Sequence, residues 1–197
     1  IKIDGAILIT GGTNKAAASS HEGLEGKSTM EITGGHVYAT SSDDAINSAS
    51  HMTISGGYVM AYSTGNDGLD ANGNLYIKGC DFINTKSSKN AGALIADYIL
   101  ADNINVTILD SLFYNASSLY GGAFIQLSGN LVLNNTRFIN NKATYGGGAL
   151  YLSYVNSEIN GCTFDSNVVE ELEYNPCCGG ALYFDCADLV IRDSQYS

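Results

Sequence analysis

The chain has 197 residues with 20 acids against 9 Lys plus Arg, a net charge of −11, 23 Gly, one Pro and no Trp. That balance argues against partners reached through a basic footprint, namely nucleic acid and anionic membrane surfaces, and leaves bound cations or neutral glycans open. No apolar run has the length to span a membrane as a helix.

Taken in order, short β-like segments recur from the first residues: "AILITGG", "STMEITGG", "HMTISGG", "NLYIKGC", "NVTILDS", "NLVLNNT", "SEINGC" and "LVIRDS". They place Ile9, Ile32, Ile54, Ile77, Ile108, Leu133, Ile159 and Ile191 on one line, at intervals of 22 to 32 residues. Three residues on stands a small side chain each time: Gly12, Gly35, Gly57, Cys80, Ser111, Thr136, Cys162 and Ser194. Two further lie Val37, Val59, Phe82, Phe113, Phe138, Phe164 and Tyr196. A second apolar line, Leu24, Ile46, Leu69, Leu94, Phe124, Leu150 and Leu182, lengthens in step with the first.

Leucine-rich repeats are excluded by their missing framework, and helical repeats by the Gly content and the lack of a 3.6-residue period. What remains is an all-β fold, a right-handed, single-stranded parallel β-helix of seven or so coils in one domain over residues 1–197. Equivalent residues then stack at roughly 4.8 Å, and no coil can bury its apolar side alone. Residues 1–80 form short acidic coils, and residues 81–197 follow an "F-x-N … GGA-L" pattern. In the latter, Asn84, Asn115 and Asn140 make a polar line, continued imperfectly by Ser166 and Asn167, whose expected place is at turns. Both ends of the sequence read as repeat, so we expect the helix to continue at one or both ends in a longer parent protein.

The acids follow the repeat. Glu22, Asp44 and Asp67 precede the second apolar line by two positions, and Glu25, Asn47 and Asp70 follow it by one; Asp43 and Asn66 add oxygens just upstream. Carboxylates stacked rung upon rung repel, and Lys27 is the nearest cationic side chain in line. A hard divalent cation resolves the conflict, since Ca²⁺ takes six to eight oxygens in flexible geometry. The competing reading is a solvated acidic edge.

The stretch from "GGTNKAAASSHEGLEGK" through "SSDDAINSAS" to "NDGLDANGNLYIKG" closely resembles a family of bacterial secreted β-helical carbohydrate-binding domains, related in shape to family 9 polysaccharide lyases. The resemblance covers residues 1 to about 80. It implies a pectate-lyase-like solenoid, an extracellular or cell-surface location, plant-type or acidic polysaccharide as partner, and calcium on Glu22, Glu25, Asp43, Asp44, Asp67 and Asp70. The "FxxN … GGA" coils are similar instead to the repeats of polymorphic outer-membrane proteins and other surface adhesins.

Glycan contacts are expected at Tyr58 and Tyr62 of "GGYVMAYS", ahead of Tyr38, Tyr76 and Tyr98, and at Lys27. No catalytic residue is assigned. A lyase would need a basic residue such as Lys27 or Lys78 to abstract a proton, and His21, His36 and His51 occupy dissimilar points of their coils. Calcium-dependent glycan binding is therefore the reading, with an adhesive stalk and a polysaccharide lyase as alternatives. Of the five cysteines, Cys80 is expected as a buried thiol at a corner. If a disulfide exists, it joins Cys162 to Cys178 or Cys186; zinc is disfavoured by the adjacent Cys177 and Cys178 and the lack of a nearby His.

Overall fold

The computed structural model describes residues 1–83, 85–87, 91–96, 104–170, 179–185 and 188–197, without the side chains of 94–96. Asn84, Tyr98, Cys177, Cys178 and Cys186 lie outside the described residues. Every regular element among those described is a β-strand, and every pairing is parallel. Two sheets of eight strands run the length of the molecule. One contains Leu24–Gly26, Ile46–Ser48, Leu69–Ala71 and Phe124–Gln126; the other contains Met30–Ile32, Met52–Ile54, Leu75–Lys78 and Asn105–Leu109.

Strand neighbours in each sheet are one coil apart in sequence, which makes the fold a β-solenoid. Its register reproduces the periodic lines residue for residue. Ile9 pairs Ile32, then Ile54, Ile77, Ile108, Leu133, Ile159 and Ile191. Leu24 pairs Ile46, then Leu69, Leu94, Phe124, Leu150 and Leu182. Strand alternation turns these residues inward: Met30 and Ile32 are buried while Glu31 between them is exposed.

The third side differs between the two halves. In the early coils it is a continuous sheet of Thr13–Ala17, His36–Ser41 and Tyr58–Ser63. In the later coils each strand breaks in two, as in Leu112–Tyr114 followed by Ser117–Tyr120 and Arg137–Ile139 followed by Lys142–Gly146. The break falls at Asn115, Asn140 and Ser166, with φ of 55°, 54° and 53°. Asn tolerates this left-handed conformation better than most residues, and Asn140 Nδ2 donates to Asn115 Oδ1 at 3.2 Å. The expected turn role of the Asn line holds here, and the added corner accompanies the longer repeat.

The small-residue line sits at another corner. Gly12, Gly35 and Gly57 have φ of 77°, 84° and 94°. A Cβ on Gly57 would lie 2.6 Å from the Gly35 carbonyl oxygen of the coil before. From Gly79 onward the left-handed residue stands one position earlier, at Asp110, Asn135, Gly161 and Asp193. The next residue then turns its heteroatom back to the carbonyl two positions before: Ser111 Oγ to Leu109 at 2.7 Å, Thr136 Oγ1 to Asn134 at 3.0 Å, Ser194 Oγ to Arg192 at 2.9 Å. Cys80 and Cys162 do the same, to Lys78 at 3.2 Å and Asn160 at 3.3 Å. Both are buried free thiols. Cys162, where a bridge was expected if one formed at all, is thus free, its sulfur occupying the corner position that Ser or Thr fills in neighbouring coils. Burial pushes the Cys80 thiol up to about 11.

Inside the third side, Phe82, Phe113, Phe138, Phe164 and Tyr196 stack with centroids 4.8, 4.9, 5.0 and 5.0 Å apart. Ring spacing is thus set by rung spacing, and each inner ring touches its like above and below. Phe113, fully buried at the second rung of this column, has a ring on both sides. Replacing it with Ala removes both contacts and opens a cavity, so denaturant unfolding of Phe113→Ala should show a loss of about 3–5 kcal/mol.

Candidate functional site

Two surfaces of the early coils carry the chemistry singled out in the sequence. The first is the acidic edge, built on turns that repeat with the coil. Ser41 Oγ accepts from Asp43 N at 2.9 Å and donates to His21 O. One coil on, Ser63 Oγ accepts from Gly65 N at 3.1 Å and Asn66 N at 2.9 Å and donates to Asp43 O. These buried hydroxyls fold each turn back so that the following Asp lies against the next coil.

Asp44 Oδ1 accepts from Asn66 Nδ2 at 2.7 Å and from Asp67 N at 3.0 Å, while Oδ2 accepts from Asn47 Nδ2 at 3.3 Å. Asp67 Oδ1 repeats the theme, accepting from Ala91 N at 3.0 Å. Asn47 Nδ2 also donates to Asp70 Oδ2 at 3.0 Å, and Asn72 Nδ2 donates to the same oxygen at 3.3 Å. Cationic side chains are scarce along this edge, as the composition implies. The structure supplies donors of another kind, main-chain N–H groups of the next coil and interleaved amides. Buried carboxylates with such partners are stable without a counter-charge in contact.

Glu25 is buried and paired to Lys2 at 3.2 Å and to Lys27. Burial alone would push its carboxyl up, but hydrogen bonds and charge from Lys27 and Lys2 outweigh this and hold it below the usual value of 4.5. Asp44 moves the other way: burial raises its carboxyl above 3.8, and its hydrogen bond from Asp67 N only partly offsets that. Glu22, Asp43 and Asp70 are half-buried. Among the described residues no three His, Cys, Asp or Glu side chains converge as a ready-made metal cage.

The second surface is the outer face of the sheet Thr13–Ala17, His36–Ser41 and Tyr58–Ser63. Register places Thr13, His36 and Tyr58 in one row, Lys15, Tyr38 and Met60 in the next, and Ala17, Thr40 and Tyr62 in a third. Tyr58 and Tyr62 are each 36% exposed. His36, Tyr38 and Tyr58 form a triangle of rings with centroids 5.7 to 6.3 Å apart, tilted by 41° to 47°. Lys15 Nζ lies 5.9 Å from the Tyr38 centroid, a cation–π distance. No Asp or Glu occurs in these three strands.

The expected residues therefore divide. Tyr58 and Tyr62 share a face with Tyr38. Lys27 sits with Glu25 at the acidic edge, on the neighbouring side of the coil, where it also feels Glu22. His36 and Lys15 join the aromatic face without having been expected there. His36 follows Gly35 as Tyr58 follows Gly57, so its stacking position was available from the repeat.

A family model described as a carbohydrate-binding domain-containing protein matches residues 2–68. That stretch holds the whole aromatic face and the acidic edge as far as Asp67. The model of the Chlamydia polymorphic membrane protein repeat matches residues 135–153. The metabotropic glutamate receptor-like protein R of Dictyostelium discoideum is 35% identical over 92 residues, 46% of this chain but 6% of that protein. No solved structure matches the chain. These matches do not reach the family 9 polysaccharide lyases.

Because Glu25 is held below its ordinary value, its ionised form stabilises the fold above pH 4.5, and that contribution fades as pH falls through the lowered value. Glu25→Gln should accordingly unfold at lower denaturant than the parent at pH 7, with the gap closing in acid. A gap that persists unchanged at pH 2 to 3 would assign it to packing.

Proposed function

We propose that this chain binds polysaccharide through the outer face of its early coils, as a surface or secreted protein. The observation that supports this most directly is the outward ring group of His36, Tyr38 and Tyr58 on strands that carry no acid, inside the stretch matched by a carbohydrate-binding model. A sugar ring presents an apolar C–H face and a polar rim. Tyrosine meets both, with a broad ring for the first and a hydroxyl for the second. Tyr38 and Tyr58, with centroids 5.7 Å apart, suit successive units of one extended chain. Lys15 and His36 add donors beside the rings.

A second reading makes binding calcium-dependent and the glycan acidic. It is favoured by the half-buried acids Glu22 and Asp43, at turns that carry further oxygens, and Asp70 on the adjoining strand Leu69–Ala71. Calcium accepts such carboxylate, amide and carbonyl donors. Glu22 and Asp43 would hold it, and Glu25, Asp44, Asp67 and Asp70 could join only by giving up their present partners. When bound, the cation would supply positive charge between an acidic glycan and this acidic chain. It would also raise the melting temperature by linkage.

Calorimetric titration with a neutral β-glucan and with oligogalacturonate, each with and without chelator, separates the readings. On the first, Tyr58→Ala with Tyr62→Ala weakens binding about thirtyfold, at on the order of 1 kcal/mol per aromatic contact, and leaves circular dichroism unchanged. On the second, chelator abolishes oligogalacturonate binding and the melting temperature rises with calcium. No binding to either polymer would leave the adhesive stalk, and near-ultraviolet absorbance from unsaturated products would establish a lyase.

A further inference from the structure

The row that ends the aromatic face does not stop at Tyr62. In this sheet the N–H following a paired residue donates to the carbonyl of that residue's partner: Ala17 pairs Thr40, and Ala18 N donates to Thr40 O. Ser63 N donates in the same way to Lys86 O at 3.3 Å, which puts Lys86 beside Tyr62 on the next coil. Lys86 then pairs Ser117, Ser117 pairs Lys142, and Ser87 N donates to Ser117 O. Thr40, Tyr62, Lys86, Ser117 and Lys142 therefore form one outward row along the solenoid axis. From Tyr62 to Lys142 is three rungs, roughly 14 Å.

Beyond Tyr62 the row lies in a shallow groove of about 260 Å³, lined in part by Lys86, Ser117, Ser118, Lys142 and Thr144. Among the described residues Glu170 is the one acid that lines it, and it pairs with Lys142. Both members of that pair are about half exposed, at 48% and 46%. Such a pair adds little to stability, so a ligand carboxylate can take the place of Glu170. Two of the chain's nine basic side chains thus face one groove, two rungs or roughly 10 Å apart. This matches the advance of about two sugars in an extended polymer, and hydroxyls stand between the lysines.

We propose that the Lys86–Ser117–Lys142 groove is a second subsite, which takes the carboxylates of a uronic-acid polysaccharide directly and aligns the chain along the solenoid axis from Tyr62. This rests on the polysaccharide-binding reading, and it extends the site into coils beyond the stretch matched by the carbohydrate-binding model. It requires no cation, because the lysines supply the charge. Glu170 acts as an internal competitor that occupies Lys142 when no ligand is present.

The test uses the whole chain in chelator, titrated with oligogalacturonate and with a neutral β-glucan of equal length. Lys86→Gln with Lys142→Gln should weaken oligogalacturonate binding about five- to tenfold, steeply reduce its salt dependence and leave the neutral glucan unaffected. Glu170→Gln should strengthen oligogalacturonate binding by about two- to threefold, a gain that a merely structural role for the pair would not produce. If the parent and Tyr58→Ala behave as a glycan binder and its weakened variant while the lysine and Glu170 substitutions change nothing, the groove is overturned and the aromatic face stands. If the parent binds oligogalacturonate only when calcium replaces the chelator, the cation-free groove is overturned; if it binds neither polymer with chelator or with calcium, the polysaccharide reading itself falls.

Discussion

Everything in this molecule depends on coil stacking in parallel register. A coil has no sheet of its own, and its strand N–H and C=O groups find main-chain partners one repeat away in sequence. Ordering one coil therefore creates the template for the next. The same geometry sets each side chain roughly 4.8 Å from its equivalent above and below. A residue choice that stacks well on itself is rewarded repeatedly, and one that repels itself is penalised repeatedly.

Three side-chain classes show how this constraint is met. The Phe column places flat rings at the spacing the rungs impose, 4.8 to 5.0 Å. Asparagine stacks because an amide carries both donor and acceptor, as in Asn140 to Asn115 and in the buried pair Asn141 to Asn167, where Nδ2 meets Oδ1 at 2.8 Å. Carboxylates carry acceptors alone. Asp44 is accommodated by meeting the Asp67 N–H and the Asn66 amide of the next coil, so acceptor faces donor across the rung. Asp44 and Asp67 are thus caps on the coils that follow them.

The change in coil length divides the surface into two kinds of platform. Without the left-handed residue, strands such as His36–Ser41 and Tyr58–Ser63 run straight for six residues and present a broad outer face. With the corner at Asn115 or Asn140, the same side folds into two short strands, and the second of them lines the groove holding Lys86 and Lys142. One inserted corner thus turns an aromatic surface into a basic one while the axial row stays continuous.

The sequence by itself determined which residues stack. Gly, Ile and Phe recur with the coil period, and self-stacking makes that period equal to the pairing register; hence Ile54 on Ile77 and Phe113 on Phe138 were legible from the repeat alone. It also placed Tyr58 and Tyr62 on one strand, two alternations apart. Only the tertiary structure decided what surrounds the stacked residues. The donors to Asp44 and Asp67 include main-chain N–H groups, which every residue but proline has and composition cannot single out. The link from Tyr62 to Lys86 runs through a break in the strand pattern, and Cys162 looks available for a bridge until its corner geometry turns the sulfur toward Asn160. Periodicity reports equivalence between coils; contact between unlike positions depends on how the turns fold over the sheets, and that is set by hydrogen bonds one coil away.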